Sequence, residues 1–216
     1  MLLIATVFIQ NIKAQNTFNI QEINRSVYSR FGIEPTYHLA LGFRQSFPIK
    51  KIKRNAVLYG ELSSPVKGIG GSNYEVKTGG ILNVLKLNSF GISYHLNFST
   101  GHVKTKNFDS QKFAFSNKLL AGYFSDKWYL AFSGEYEKVM SNKIIHTQYY
   151  RDYIFPEAKD GWYKSAGGNI QLGIEVGTTI KGIIDIGFDL KVPKSERFNS
   201  YNGSPANANL STAYRF

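Results

Sequence analysis

The chain has no cysteine and only two methionines among its 216 residues. Without thiols there is no disulfide framework, no thiolate metal site and no cysteine nucleophile, so redox chemistry through sulfur is excluded. Beyond the first segment there is no run of about 18 apolar residues, which rules out helical membrane spans. Acids are few against bases, 15 to 26, leaving a formal charge of +11. Charge of that sign raises nucleic-acid binding, because clustered Lys and Arg neutralise phosphates and release counterions. The cations here are mostly scattered. Their one dense cluster, Lys50, Lys51, Lys53 and Arg54, lies between two strand-like segments and has no stacking aromatics beside it. No nucleic acid is expected as a partner. Anionic lipid headgroups and lipopolysaccharide phosphates suit scattered surface cations better.

What is abundant is 14 Tyr, 16 Phe and 20 Gly. That balance favours strands and tight turns over helices, and an all-β class follows. Met1 to Ile9 is apolar except for Thr6, and Ile12-Lys13-Ala14 followed by Gln15 places a small residue where a signal peptidase cuts. Residues 1–14 are therefore read as a cleaved export signal, although a basic n-region is missing, and residues 15–216 as one domain. Loss of Lys13 leaves a charge of +10. An exported chain that spans a membrane without apolar helices must do so as a barrel.

The strongest signal is a period of two, which sends successive side chains to opposite faces of a strand. Phe90, Ile92, Tyr94, Leu96 and Phe98 share one face against Gly91, Ser93, His95, Asn97 and Ser99. Ile184, Ile186, Phe188, Leu190 and Val192 oppose Asp185, Gly187, Asp189 and Lys191 in the same way. Trp128, Leu130, Phe132 and Tyr136 oppose Tyr129, Ser133, Glu135 and Glu137, and comparable stripes run through 37–44 and 170–177. A soluble sandwich also alternates, but its strands are typically about five or six residues long, whereas these reach ten or so, the length that crosses hydrocarbon at a tilt.

The connections alternate too. Short links at Asn88-Ser89, Ser125-Asp126 and Thr178 to Lys181 are separated by long polar stretches at Ser64 to Lys77, Thr100 to Ser110, Ser141 to Asp160 and Pro193 to Ala206. Short periplasmic turns and long extracellular loops are the habit of outer-membrane barrels. Placing the basic turn Pro48 to Lys53 on the periplasmic side requires a further strand before Thr36, with Gly32 to Pro35 as an outer turn. The expected strands are roughly 24–32, 36–47, 54–64, 78–87, 90–99, 111–124, 127–139, 161–177, 183–193 and 207–216. The expected fold is thus a closed antiparallel up-and-down transmembrane β-barrel of about ten strands, with eight as the alternative count.

The segment Leu210-Ser211-Thr212-Ala213-Tyr214-Arg215-Phe216 puts Leu210, Tyr214 and Phe216 on one face. With the alternation and the export signal, it resembles the small outer-membrane β-barrel proteins of Gram-negative bacteria, whose last strand commonly ends in Phe with another aromatic two residues before. The resemblance implies that Tyr214 and Phe216 form an assembly signal read by the barrel-insertion machinery. It implies location in the cell outer membrane and implies no narrower family. Aromatics near strand ends, namely Trp128, Tyr129, Tyr123, Phe124, Trp162, Tyr163 and Tyr214, fit interfacial girdles.

With the oily faces outward, the lumen receives Arg44, Glu61, Lys118, Glu135, Glu137, Glu175, Asp185, Asp189, Lys191 and Arg215. A mixture of both signs in so small a ring forms a salt-bridged plug, because small barrels are filled by their own side chains. The leading expectation is a non-enzymatic barrel with a structural or surface-binding role. The alternative is a narrow, porin-like channel along inner-face glycines. Ser93 and His95 share one strand face and offer a nucleophile with a base, so an outer-membrane lipid hydrolase is a further alternative. Arg197 to Gly203 faintly resembles the His-containing segment before the last strand of lipid A deacylase barrels, but Arg197 stands where the histidine would be and cannot act as a general base. His38, His102 and His146 lack metal-ligand spacing, so neither a metal nor a cofactor is expected. The loop Ser141 to Asp160 carries Tyr149, Tyr150, Arg151, Tyr153 and Phe155, large rings suited to recognition of a surface ligand or to capping the barrel mouth.

Overall fold

A computed structural model describes residues 25–34, 36–49, 54–66, 73–125, 127–164, 168–195 and 206–216. The expected export segment, the cut after Ala14, most of the basic turn and the Arg197 to Gly203 stretch lie outside the described residues.

The alternating segments become strands β1 (Arg25–Glu34), β2 (Thr36–Ile49), β3 (Arg54–Pro65), β4 (Tyr74–Leu87), β5 (Phe90–Lys104), β6 (Phe108–Phe124) and β7 (Trp128–His146). A six-residue helix α1 (Gln148–Tyr153) then precedes β8 (Gly161–Lys164), β9 (Gly168–Ile180), β10 (Ile184–Ser195) and β11 (Asn207–Arg215). Each strand pairs antiparallel with its neighbours, β1 pairs with β11, and β6 pairs with β7, so the sheet closes on itself. Both β8 and β9 pair with β7, at Ser141↔Lys164 and Lys138↔Gly168, and together they make one stave. The result is a closed ten-stave up-and-down barrel, with no bare sheet edge facing lipid over the paired span.

The polarity of the wall is inverted relative to a soluble protein. Leu41, Phe132 and Leu172 point outward and are 60 to 64% exposed, while Ala40 and Ser93 on the inner face have no exposed surface. Apolar area on that scale is stable only against hydrocarbon. No described helix is long and apolar enough to cross a membrane; the strands do the crossing. Inside, two small apolar clusters, Leu120 with Phe124 and Ala131, and Val57 with Ile81, sit among polar side chains.

Turns at one end are tight. Lys181 and Gly182 both take positive φ, 50° and 71°, as a hairpin turn matched to strand twist requires, and the Ile183 amide donates to Ile180 O at 3.2 Å. Asn88 (φ 51°) serves the β4–β5 turn, Asn being one of the few residues that tolerates this region.

Several expectations need correction. Gly32 is no turn residue; it lies inside β1, opposite His38 and Asn209. The link expected at Thr178 to Lys181 sits at Lys181–Ile183, because β9 continues to Ile180. Thr100 to Ser110 is mostly strand, since β5 runs to Lys104 and β6 starts at Phe108. Strand β7 likewise continues to His146, deep into the expected loop. Above the membrane both strand faces meet water, so polar composition there does not signal a loop. Phe124 and Tyr129 are not girdle residues. They stack on each other inside the barrel, centroids 5.7 Å apart, because the strand parity that turns Tyr123 and Trp128 outward turns these two inward.

Candidate functional site

All ten charged residues expected in the lumen point inward, and their pairs reach across strands. Lys191 Nζ on β10 lies 3.1 Å from Glu135 Oε2 on β7, and Lys118 on β6 pairs with Glu175 on β9. Near the tight-turn end, Asp185 gathers two guanidinium groups. Arg215 donates from Nε at 2.8 Å and from Nη2 at 2.5 Å, and Arg44 Nη2 approaches at 3.3 Å. Thr179 Oγ1 adds a bond to Asp185 at 2.7 Å, and Arg44 Nε donates to Ser26 Oγ at 2.7 Å. Asp189 accepts from Asn209 Nδ2 at 3.1 Å and lies 4.0 Å from Lys191 Nζ. Such groups are tolerable inside because each buried charge meets an opposite one.

Four members of the network escaped the sequence reading. Arg30 Nη2 sits 2.5 Å from Glu61 Oε1, and Glu75 holds Lys112 at 2.8 Å and Lys77 at 3.9 Å, with Glu137 3.8 Å from Lys112. Parity could have found two of them. Arg30 alternates with Val27, Phe31 and Ile33 at outward positions, and Lys112 precedes outward Phe113. Glu75 and Lys77 were hidden because β4 begins at Tyr74, inside an expected loop. With these four added, the acids and bases of the network are equal in number.

Neutral groups fill the gaps. Tyr59 donates to Asn97 Oδ1, and Asn97 Nδ2 donates to Ser116 Oγ at 2.9 Å. Arg44 packs over the Tyr28 ring, 5.6 Å from its centroid. A cavity of about 280 Å³ remains, bordered by Tyr28, Tyr59, His95, Lys77, Tyr129 and Glu175 among others.

The structure does bring Ser93 and His95 together, Oγ to Nε2 at 3.0 Å. Ser93 nevertheless has no exposed surface and lies on the lumen side, opposite the face an acyl chain of a membrane lipid would approach. Among the described residues no cluster of metal-binding side chains occurs. His102 and His146 each face one carboxylate instead, Asp109 at 2.7 Å and Asp160 at 3.0 Å.

Four of the five loop candidates, Tyr149, Tyr150, Arg151 and Tyr153, lie on α1, and Phe155 follows it. Thr147 caps the helix, its side chain accepting from the Tyr150 amide, and also donates to Lys106 O at 2.7 Å, which ties the helix to the β5–β6 turn. Tyr149, Tyr153 and Phe155 are exposed, whereas Tyr150 is partly covered by stacking on His146 at 5.0 Å. Asp160 anchors the other end, accepting from the His146 amide at 2.8 Å and from Arg151. Those bonds, the His146 amide first and the Arg151 guanidinium next, pull the Asp160 carboxyl down to about 2. Tyr163, expected in the girdle, instead donates to Lys159 O at 2.6 Å in this crown. Tyr214 and Phe216 are both exposed on the outer surface, centroids 6.5 Å apart.

A closed antiparallel barrel that is greasy outside and charged inside is the outer-membrane type, and this chain is a ten-stave member of that class. The sequence matches no protein-family model and no curated protein. Solved structures similar to it include the KdgM porin, at 9% identity and a TM-score of 0.39 over 88% of this chain and 99% of that one. The Acinetobacter baumannii outer membrane protein Omp33 is another, at 9% identity and a TM-score of 0.35 over 96% of this chain and 100% of that one.

Proposed function

We propose that this chain is a non-enzymatic outer-membrane barrel whose interior is closed to solutes and whose working surface is the extracellular crown. The observation that carries the reading is the set of ion pairs that lace the lumen from strand to strand, Arg44–Asp185–Arg215 above all. A solute on that path would have to part fixed charges of opposite sign that lie within 3.3 Å of each other. On the crown, Tyr149, Tyr150, Arg151, Tyr153 and Phe155 offer ring area and one cation to a surface ligand. The partners of this reading are outer-membrane lipid and lipopolysaccharide around the belt and the insertion machinery at Tyr214 and Phe216.

Purified monomer in a planar lipid bilayer tests the closed interior. The expected trace is flat across the voltage range, and steady unitary conductance overturns the reading. The cavity of about 280 Å³ favours a second one, a narrow channel. Its border carries Arg30, Arg44, Lys77, Lys118, Lys191 and Arg215 against Glu61, Glu135, Glu175 and Asp185, so that channel would prefer anions.

A further inference from the structure

A carboxamide interrupts the apolar belt on β6. Lys118 and Leu120 border the lumen cavity, so the alternation turns Tyr123, Leu119, Asn117 and Phe113 outward. Tyr123 packs 5.1 Å from Trp128 at the tight-turn end, and Phe113 packs 6.0 Å from Trp162 at the other. At a rise of ~3.3 Å per residue and a tilt of ~40°, Asn117 lies roughly 15 Å from the Tyr123 level, inside an apolar band ~25 Å tall. Its cross-strand neighbours are Leu96 and Tyr136, and Leu119 beside it is exposed. The amide therefore borders hydrocarbon.

Within the chain that amide is only half used. Tyr94 on β5 donates from its hydroxyl to Asn117 Oδ1, and among the described residues nothing accepts from Asn117 Nδ2. Other outward hydroxyls turn back on the wall: Thr78 Oγ1 donates to Tyr59 O at 3.1 Å, and Ser29 and Thr212 share a bond of 2.9 Å. Hydrocarbon offers an amide donor no acceptor, so leaving Nδ2 there is costly. A recess lies next to it. Gly134 on β7, opposite Leu119, also faces outward, and a Cβ there would meet only Leu172 Cδ2, at 3.7 Å. The fold would accept a larger residue at Gly134, and its absence lets a second surface approach.

We propose that Asn117, with Tyr94 and Gly134 beside it, forms the centre of an interface between two copies of this chain in the membrane. The occupant is a second copy because a carboxamide is complementary to itself. Nδ2 carries two donor hydrogens, and Oδ1 keeps one lone pair after Tyr94 has taken the other. Two barrels inserted in the same sense are related by a two-fold axis along the membrane normal, which sets Asn117 of each copy at the same depth. Near that axis each Nδ2 donates to Oδ1 of the other copy, and both amides are satisfied. An acyl chain offers neither group. It solvates the surrounding Leu and Phe as well as a second barrel would, so the paired amides and the close approach at Gly134 supply the preference. The lumen and the crown of both copies stay as they are.

Sedimentation equilibrium of the purified, folded barrel in density-matched detergent micelles is the test. The parent is expected to associate to a dimer. Asn117→Leu is expected to weaken that association by ~10- to 100-fold, the loss of two hydrogen bonds in an apolar medium. Gly134→Leu, which fills the recess, is expected to weaken it as well. Both replacements set an apolar side chain against lipid, so the barrel itself should fold, and heat-modifiable migration in a detergent gel verifies this. The chain has no cysteine, so an introduced one reports only on its own position. Oxidation of Asn117→Cys in outer membranes should give a disulfide-linked dimer, whereas Phe31→Cys, exposed on β1 across the barrel, should stay monomeric. A parent that sediments as monomer at every protein-to-detergent ratio overturns the proposal. So does a folded Asn117→Leu variant that associates as the parent does, or equal cross-linking through Phe31→Cys.

Discussion

The ring of Tyr28 occupies the space that a side chain at Gly42 would need, a Cβ built there falling directly on the Tyr28 ring carbons. The two residues are cross-strand partners in the β1–β2 register. Tyr129 and Gly177 repeat the arrangement across β7 and β9. An inward tyrosine lies down over a glycine on the next strand and fills the lumen sideways. Gly42→Leu is therefore expected to lever Tyr28 away from Arg44 and destabilise the barrel by about 1–3 kcal/mol, the usual overpacking penalty. Gly60→Ala, where a Cβ meets nothing within 4 Å, is expected to be neutral. Urea unfolding in detergent, followed by tryptophan fluorescence, separates the two; equal midpoints would refute the packing argument.

Asp185 neutralises two guanidinium groups at once. Asp185→Asn leaves Arg44 and Arg215 facing each other without a counter-charge, and a loss of about 3–5 kcal/mol is expected, as for breaking other buried pairs. The same variant removes the carboxylate that ties Arg44 to Arg215, so anion-selective current is expected where the parent is silent. A variant as stable and as silent as the parent would show that the charge lattice neither holds nor closes the barrel.

For the crown, the sign of the pH dependence follows from Asp160. Its carboxyl is held at about 2 in the folded loop, below its ordinary value of about 3.9, so its stabilising contribution is fully present above about pH 4. That contribution is lost as pH falls through about 2. Cleavage of the loop by an acid-tolerant protease should accelerate over this interval, after correction for the protease's own profile. In Asp160→Asn the loop should already be cut quickly at pH 5, with little further change below it. A steep acid response retained in the variant would remove Asp160 as the anchor.

Ser93→Ala is expected to leave phospholipid and lipid A deacylation at background, because parent and variant should both be inactive. Release of fatty acid by the parent and not by the variant would revive the hydrolase reading, and with it the significance of the 3.0 Å bond to His95.

The wall was legible in the sequence because a period of two reports faces directly. Every expected stave exists, and the residues opposite Phe90, Trp128 and Ile184 all point inward. Strand ends were not legible. At Glu75, Lys104, Phe108 and His146 the chain is still paired but no longer borders hydrocarbon, so its composition turns polar on both faces. Two bulges were also invisible. At Val84 and at Met140 one strand carries an extra residue against its partner, which shifts parity without any signal in residue type. Tyr129 and Phe124 show a different failure. Their chemistry suggested a girdle while their position in the alternation put them inside, and position prevailed. Helix α1, at six residues, is too short for a helical period to emerge.

Strand β7 has 19 residues, which at ~3.3 Å each makes a stave of roughly 60 Å. Tilted by ~40°, it rises about 45 Å, and an apolar band ~25 Å tall uses little more than half of that. The remainder is a rigid mast that lifts α1 clear of the bilayer on the cell exterior. A short epitope inserted between Phe155 and Ala158 should consequently be stained by antibody on intact cells, with the barrel beneath it undisturbed.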